Sequence, residues 1–365
     1  MEYLEQAWRA AWMRALAALA RADRAGDKPN WGARPHRVLF LRQDRIGDMI
    51  VSTGLLRAIA SAYPTISLDV LASPANAPIL REEPHIRTVH ILDKRRPWAY
   101  PALAGRLRRA RYDAVIDCMV TAPSRTAMML MLAAGAPHRI GISGRGVDEV
   151  LTLPVSQRAG ARHIVDQLAT LGTALGIDPE ATDFTPQITL TAAERAAAEQ
   201  AWSSAGAAAG TRRLLVNVSA GRADREWPHE HFVAVLHKLR TDHPEMRALV
   251  IGSPAEAERS QAIASQAGVQ VAPTAGIRQA VALVAVSHLV LTPDTSIAHA
   301  AAAFRKPAVV MYTPGVAEWW HPYGSPYRAL ATADATLASL PLEPVLAAMQ
   351  DLLHAEPFYI VSPTP

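Results

Sequence analysis

The chain has 365 residues, half of them hydrophobic and 19% charged, with a formal charge of +4. That length exceeds what one hydrophobic core usually serves and predicts two domains, while the apolar share excludes a wholly disordered chain. The single cysteine, Cys118, excludes an internal disulfide framework and a cysteine-rich zinc site, and fits a reducing compartment.

Taken in order, residues 2–24 predict one amphipathic helix, because Leu4, Trp8, Trp12, Leu16 and Leu19 recur on one face while Arg14, Arg21 and Arg24 leave from the other. It reads either as a helix packed on its own protein or as an interfacial anchor at a bilayer surface. Gly26–Pro35 follows as a linker. Strands are then expected at Val38–Leu41, Leu68–Leu71, Val89–Leu92, Ala114–Asp117 and Arg139–Ile142, with helices over Met49–Ala62 and Ala102–Arg111. The rhythm lapses over 176–212, apart from an alanine-rich helix at 191–208. It resumes with strands Leu214–Val218, Ala248–Ile251, His288–Leu291 and Ala308–Tyr312, and helices near 229–241, 254–266, 277–286 and 295–304. A helix after Leu340 ends near His354. Strand and helix in alternation predict an α/β chain with two Rossmann-like parallel sheets, whose ligands sit beyond the carboxyl ends of the strands in one shared cleft. The expected division is 1–34 helix and linker, 35–185 first domain, 186–345 second domain, and 346–365 helix end and tail.

Three motifs stand at such strand ends. In the first, Leu41-Arg42-Gln43-Asp44-Arg45-Ile46-Gly47-Asp48, Gly47 permits close approach and Asp48 is either a helix cap or a carboxylate that takes a proton from a hydroxyl. It lacks the GxGxxG of a dehydrogenase. In the second, Asn217-Val218-Ser219-Ala220-Gly221 is followed by Arg222, Arg225 and Trp227-Pro228. It reads as a tight turn with solvated arginines or as an anion site of open N–H groups, a hydroxyl and guanidinium charge. In the third, Pro293-Asp294-Thr295-Ser296 opens an alanine-rich helix and can cap it or hold a phosphate. His299 has no second ligand at metal-binding spacing and reads as a partly buried histidine. Separately, Lys94, Arg95, Arg96, Arg106, Arg108, Arg109 and Arg111 surround Trp98 and Tyr100. That face is either merely solvated or meets an anionic acceptor or lipid head groups, and no nucleic-acid module accompanies it.

Together these stretches, with RYDAVIDC from Arg111, RIGI at Arg139–Ile142, ALVIGSPAEAE from Ala248 and LVLTPDTSIAHAAAAFRKPAVVMY from Leu289, resemble glycosyltransferase family 9, the ADP-heptose:lipopolysaccharide heptosyltransferase group, over roughly 37–325. The resemblance implies a GT-B architecture and inverting sugar transfer without a metal ion or resident cofactor. The donor is a nucleotide-diphosphate sugar, ADP-heptose foremost, and the acceptor a lipopolysaccharide core or related anionic glycolipid or oligosaccharide. Asp48 would be the general base. Ser219, Gly221, Arg225, Asp294, Thr295, Ser296 and His299 would bind the donor, and Arg45, Gly47, Arg95 and Arg96 the acceptor. The family usually has Lys where Arg225 stands and Gly where Ser296 stands, and its Gly-Pro-Thr is here Thr313-Pro314-Gly315. A nucleotide-sugar epimerase and a non-catalytic nucleotide-sugar-binding protein are the alternatives on such a scaffold. No stretch reaches the roughly 18 apolar residues of a membrane span, and Glu2 and Glu5 argue against a secretory leader. The expected place is the cytoplasm, with contact at the inner face of the cytoplasmic membrane, and no nucleic-acid partner.

Overall fold

The computed structural model describes residues 29–121, 124–144, 148–272 and 274–354, so the helix expected over 2–24 and the tail after 354 lie outside the described residues. The chain divides into two compact units between Thr189 and Leu190.

In the first unit six parallel strands, β1 (Arg37–Arg42), β2 (Ser67–Ala72), β3 (Ile86–Ile91), β4 (Ala114–Asp117), β5 (His138–Ile142) and β6 (Leu153–Val155), lie in the order β3-β2-β1-β4-β5-β6. β1 reads RVLFLR and buries every residue after Arg37, as a central parallel strand covered on both faces must. Its Leu39 and Leu41 share a core with Leu103 and Leu107 of helix α2 (Tyr100–Ala110) and Met128 and Met131 of α3 (Arg125–Ala134). Helix α1 (Ile46–Ala62) follows β1 directly, and α4 (Ile164–Leu171) packs beside α1. Where α1 meets the segment before Thr189, Gly54 has no room for a side chain: a Cβ there would lie 1.9 Å from the Phe184 carbonyl oxygen.

The second unit repeats the plan. β7 (Arg213–Asn217), β8 (Arg247–Ile251), β9 (Gln270–Val271), β10 (Leu289–Pro293), β11 (Ala308–Tyr312) and β12 (Tyr327–Ala331) are all parallel, in the order β12-β11-β10-β7-β8-β9. Helices α5 (Ala192–Ser204), α6 (His229–Asp242), α7 (Ala257–Ala267), α8 (Ile277–Ala285) and α9 (Ser296–Ala303) connect them. α5 opens with a full capping box between Thr191 and Glu194. The last helix, α10 (Leu342–His354), puts Val345, Met349, Leu352 and Leu353 into the core around Phe232 and Trp227, whose indole N–H donates to the Leu340 carbonyl at 2.9 Å.

Both sheets therefore have the doubly wound order in which the first strand lies between the second and the fourth. Chain direction reverses across the sheet at β1/β4 and again at β7/β10, and the gap beyond the carboxyl ends of such a strand pair is where ligands bind in open α/β sheets. Three strands (β6, β9 and β12), two helices (α3 and α4) and the single-turn helix Ala317–Trp320 go beyond the sequence expectation. β10 begins one residue later than expected and runs through Pro293.

Candidate active site

At the β1/β4 switch point, the loop after β1 carries Asp44, the first turn of α1 carries Asp48, and β4 ends in Asp117. The helix starts at Ile46 with Arg45 as its cap residue, and Arg45 makes no side-chain cap bond. Asp48 thus lies in the first turn and not at the cap, which corrects the capping alternative. Arg42, only 2% exposed, organises the loop. Its Nε donates to the Asp48 carbonyl at 2.9 Å, its Nη2 to Asp48 Oδ1 at 3.2 Å, and its Nη1 to the Cys118 carbonyl while lying 3.3 Å from Asp44 Oδ2. One oxygen of Asp48 is thereby fixed, and Oδ2 carries no hydrogen bond from the described residues. The fully buried Asn76 braces the same loop from the end of β2, donating to the carbonyls of Arg42 at 2.9 Å and Asp44 at 3.3 Å, and Ser73 Oγ donates to the Asp44 carbonyl at 3.1 Å.

Burial pushes Asp44 up to about 6, against the pull of Arg42 and with the help of the neighbouring Asp48. Burial also raises Asp117 to about 6, although the Met119 N–H bonded to it at 3.0 Å favours its charge. Arg45 is exposed and Gly47 half-buried in the first turn. Arg95 and Arg96 stand on the turn after β3, 85% and 69% exposed, and both lean on Asp93, at 3.2 and 3.6 Å. Lys94 of that turn is near enough to Asp44 to lower its carboxyl pKa.

At the β7/β10 switch point, the buried Asn217 ties two loops together. Its Nδ2 donates to Thr292 Oγ1 at 2.9 Å and Thr295 Oγ1 at 3.1 Å, and its Oδ1 accepts the Ser219 N–H at 3.2 Å. Thr295 caps α9, its hydroxyl accepting the Ile297 N–H at 3.3 Å, and Ser296 is the first helical residue. Gly221 has φ +69 with open space where a Cβ would stand, so the turn needs glycine for its conformation and not for clearance.

Ser219 is committed within the protein: its hydroxyl accepts the Ser253 N–H at 2.6 Å and hydrogen-bonds to Glu256. Glu256 in turn accepts from Ser253 Oγ at 2.7 Å and from the Ala220 N–H at 3.3 Å. Burial works to raise the Glu256 pKa, but these hydrogen bonds outweigh it and hold the group below the usual carboxylate range. Glu256 is thus an anionic member of the loop cluster, one that stood inside the quoted ALVIGSPAEAE stretch without being given a role.

Arg225 Nη1 lies 2.6 Å from Asp294 Oδ2 and donates to the Asp294 carbonyl at 3.3 Å, while its Nε is buried with no hydrogen-bond partner among the described residues. The guanidinium meant for phosphate and the carboxylate meant for sugar are therefore paired to each other. His299 is 3% exposed, packs edge-on to Trp320 with ring centres 5.8 Å apart, and has an unpartnered buried Nδ1. Burial lowers its pKa to about 4, so it is neutral near pH 7.

The structure brings Asp48 to one switch point and Ser219, Gly221, Arg225, Asp294, Thr295, Ser296 and His299 to the other. Arg42, Asp44, Asn76, Asp117, Asn217 and Glu256 join them without having been singled out as site residues. All but Asn76 stood inside the quoted stretches, where spacing gives no sign of what they bond. Among the described residues no group of three or more His, Cys, Asp or Glu is disposed to hold a metal ion, and no helix is long and apolar enough to cross a membrane.

The chain is similar to lipopolysaccharide heptosyltransferase 2 of Escherichia coli K12, 22% identical over 315 residues that cover 80% of this chain and 87% of that protein. Its fold is similar to the crystal structure of a family 9 glycosyl transferase from Veillonella parvula, with TM-score 0.78, 19% identity and coverage of 88% and 98%. It is also similar to an E. coli heptosyltransferase solved with ADP, with TM-score 0.70, 21% identity and coverage of 87% and 99%. Both comparisons show that this chain shares its fold with those structures. The profile of glycosyltransferase family 9 (heptosyltransferase) matches residues 101–340, a stretch that starts after the Asp48 motif and takes in the whole β7/β10 switch point. The chain belongs to glycosyltransferase family 9, the heptosyltransferase family.

Proposed function

We propose that the protein transfers a sugar, heptose foremost, from a nucleotide-diphosphate donor to a lipopolysaccharide core or a related anionic glycan, with inversion and with no resident cofactor. The observation that carries this reading is the pair of loops stitched by Asn217 in a chain of this family. They gather N–H groups, the Thr295 and Ser296 hydroxyls and the Arg225 guanidinium where a diphosphate needs donors. The family 9 relative solved with ADP supports an adenine nucleotide as the donor's base.

In the proposed reaction the acceptor hydroxyl lies against Asp48 Oδ2, the oxygen that Arg42 leaves open, and gives up its proton as its oxygen attacks the anomeric carbon. The bond to the nucleotide diphosphate breaks on the opposite face, and the leaving charge grows against Arg225 and the α9 N-terminus. Asp294 holds sugar hydroxyls, and neutral His299 offers a ring nitrogen without adding charge. Arg45, Gly47, Arg95 and Arg96 serve the acceptor.

The test separates binding from chemistry. Asp48→Asn is expected to keep ADP-induced thermal stabilisation while transfer of heptose from ADP-heptose falls by on the order of 10²–10⁴-fold. Undiminished transfer would remove Asp48 from this role. ADP binding with no transfer even by the natural chain would favour an epimerase or a binding protein.

A further inference from the structure

We infer that the turn after β3 and the exposed side of α2 form a docking surface for an anionic phospholipid bilayer. Trp98 is 74% exposed, the most exposed large hydrophobic side chain among the described residues, and Ile91 at the end of β3 is 43% exposed. A tryptophan is costly to leave in water, and its ring prefers the boundary between head groups and acyl chains. Cations flank it along the chain. Lys94, Arg95, Arg96, Arg106 and Arg109 are all exposed, and no acid occurs between Lys94 and Arg111.

α2 buries Leu103 and Leu107 against the core, which turns Arg106 and Arg109 outward. The turn itself is built, not loose: the Arg96 N–H donates to the Asp93 carbonyl and the Ala99 N–H to the Arg96 carbonyl, both at 3.0 Å, so Trp98 is held out on a short helical turn. Asp93 offsets only part of the charge of Arg95 and Arg96. Exposed positive charge on both sides of one protruding indole in the chain suits a surface of anionic head groups, whereas a soluble glycan would call for converging hydrogen-bond partners. Lys94 links this face to the Asp44–Asp48 loop, so docking would bring that loop close to the lipid head groups. In that respect the inference deepens the proposed function, since it supplies a lipid-borne acceptor, but vesicle binding does not depend on the transfer chemistry.

The full chain is floated with vesicles of phosphatidylcholine alone and with vesicles containing phosphatidylglycerol. It is expected to bind only the latter and to be released by high salt. Arg106→Ser with Arg109→Ser should weaken binding by on the order of tenfold, and Trp98→Ala by at least severalfold, with ADP stabilisation unchanged in both. Trp8→Ala with Trp12→Ala tests the other aromatic segment. The inference is overturned if the patch variants bind as the natural chain does, if only the Trp8/Trp12 variant loses binding, or if a lipid-free core oligosaccharide occupies the patch while vesicles never bind. Loss of ADP stabilisation in the natural chain would count against the transferase reading alone.

Discussion

Asp44, on the loop after β1, and Asp48, in the first turn of α1, are four residues apart, Arg42 reaches both, and burial raises the pKa of Asp44. A carboxyl whose folded pKa lies near 6, above its ordinary 3.8, favours the fold while protonated; that contribution is complete below about 4 and is lost as pH rises through 6. Asp44→Asn cannot ionise, so it is expected to gain stability relative to the natural chain between pH 4 and pH 7, by about 2–3 kcal/mol in urea titrations at the two pH values. A constant difference would mean that Asp44 is ionised throughout. At this scale the sequence showed which residues carry charge and could not show who holds them. Asp48 and Asp294 stood out because an acid followed a strand and opened a helix. Asn76 braces Asp44 from 32 residues away and Glu256 meets Ala220 across 36, and such pairings exist only once the sheet has formed.

Many of the elements that periodicity foretold have one dry and one wet face, or are strands buried on both; α8 and α9, buried nearly all round, were foretold as well. β1, β4, β7 and β11 are short β-branched and leucine-rich runs bounded by polar turns, and α6 alternates cleanly between core and solvent. α4 eluded that reading because its eight residues make little more than two turns, too few for the polar side of Asp166, Gln167 and Thr170 to stand out as a repeat. β6 and β9 are too short to show alternation, and β6 contains Pro154 at a sheet edge, where a missing donor is tolerated. Glycine in mid-helix is a poorer former than alanine, so its place in α1 has to be steric. Gly54→Ala should therefore destabilise the protein by about 1–3 kcal/mol, read from the urea midpoint, despite the better helix propensity of alanine, because the obstacle is the Phe184 backbone and not a side chain that can swing away. A stabilised variant would show that the Phe184 segment yields.

Over the whole molecule, the two units share one strand order, and each sets its charged groups at its own switch point. With ADP bound as proposed, amide hydrogen exchange is expected to slow in the loops that follow β7, β8 and β10, which Asn217 and Ser219 tie to one another. Slowing confined to the loop after β1 would place the nucleotide in the other unit. The alternation of strands and helices was legible in the chain from Arg37 onward, and so was the change-over before Leu214; the exact seam between Thr189 and Leu190 depends on which segment packs with which core. Because α10 returns to the second core, everything that completes each sheet lies on one side of that seam. Under the proposed function, choice of sugar nucleotide and choice of acceptor fall on separate lengths of chain, and chimeras of two relatives joined at this point are expected to inherit donor preference from the carboxyl-terminal parent. Evolution could diversify one preference while leaving the other intact.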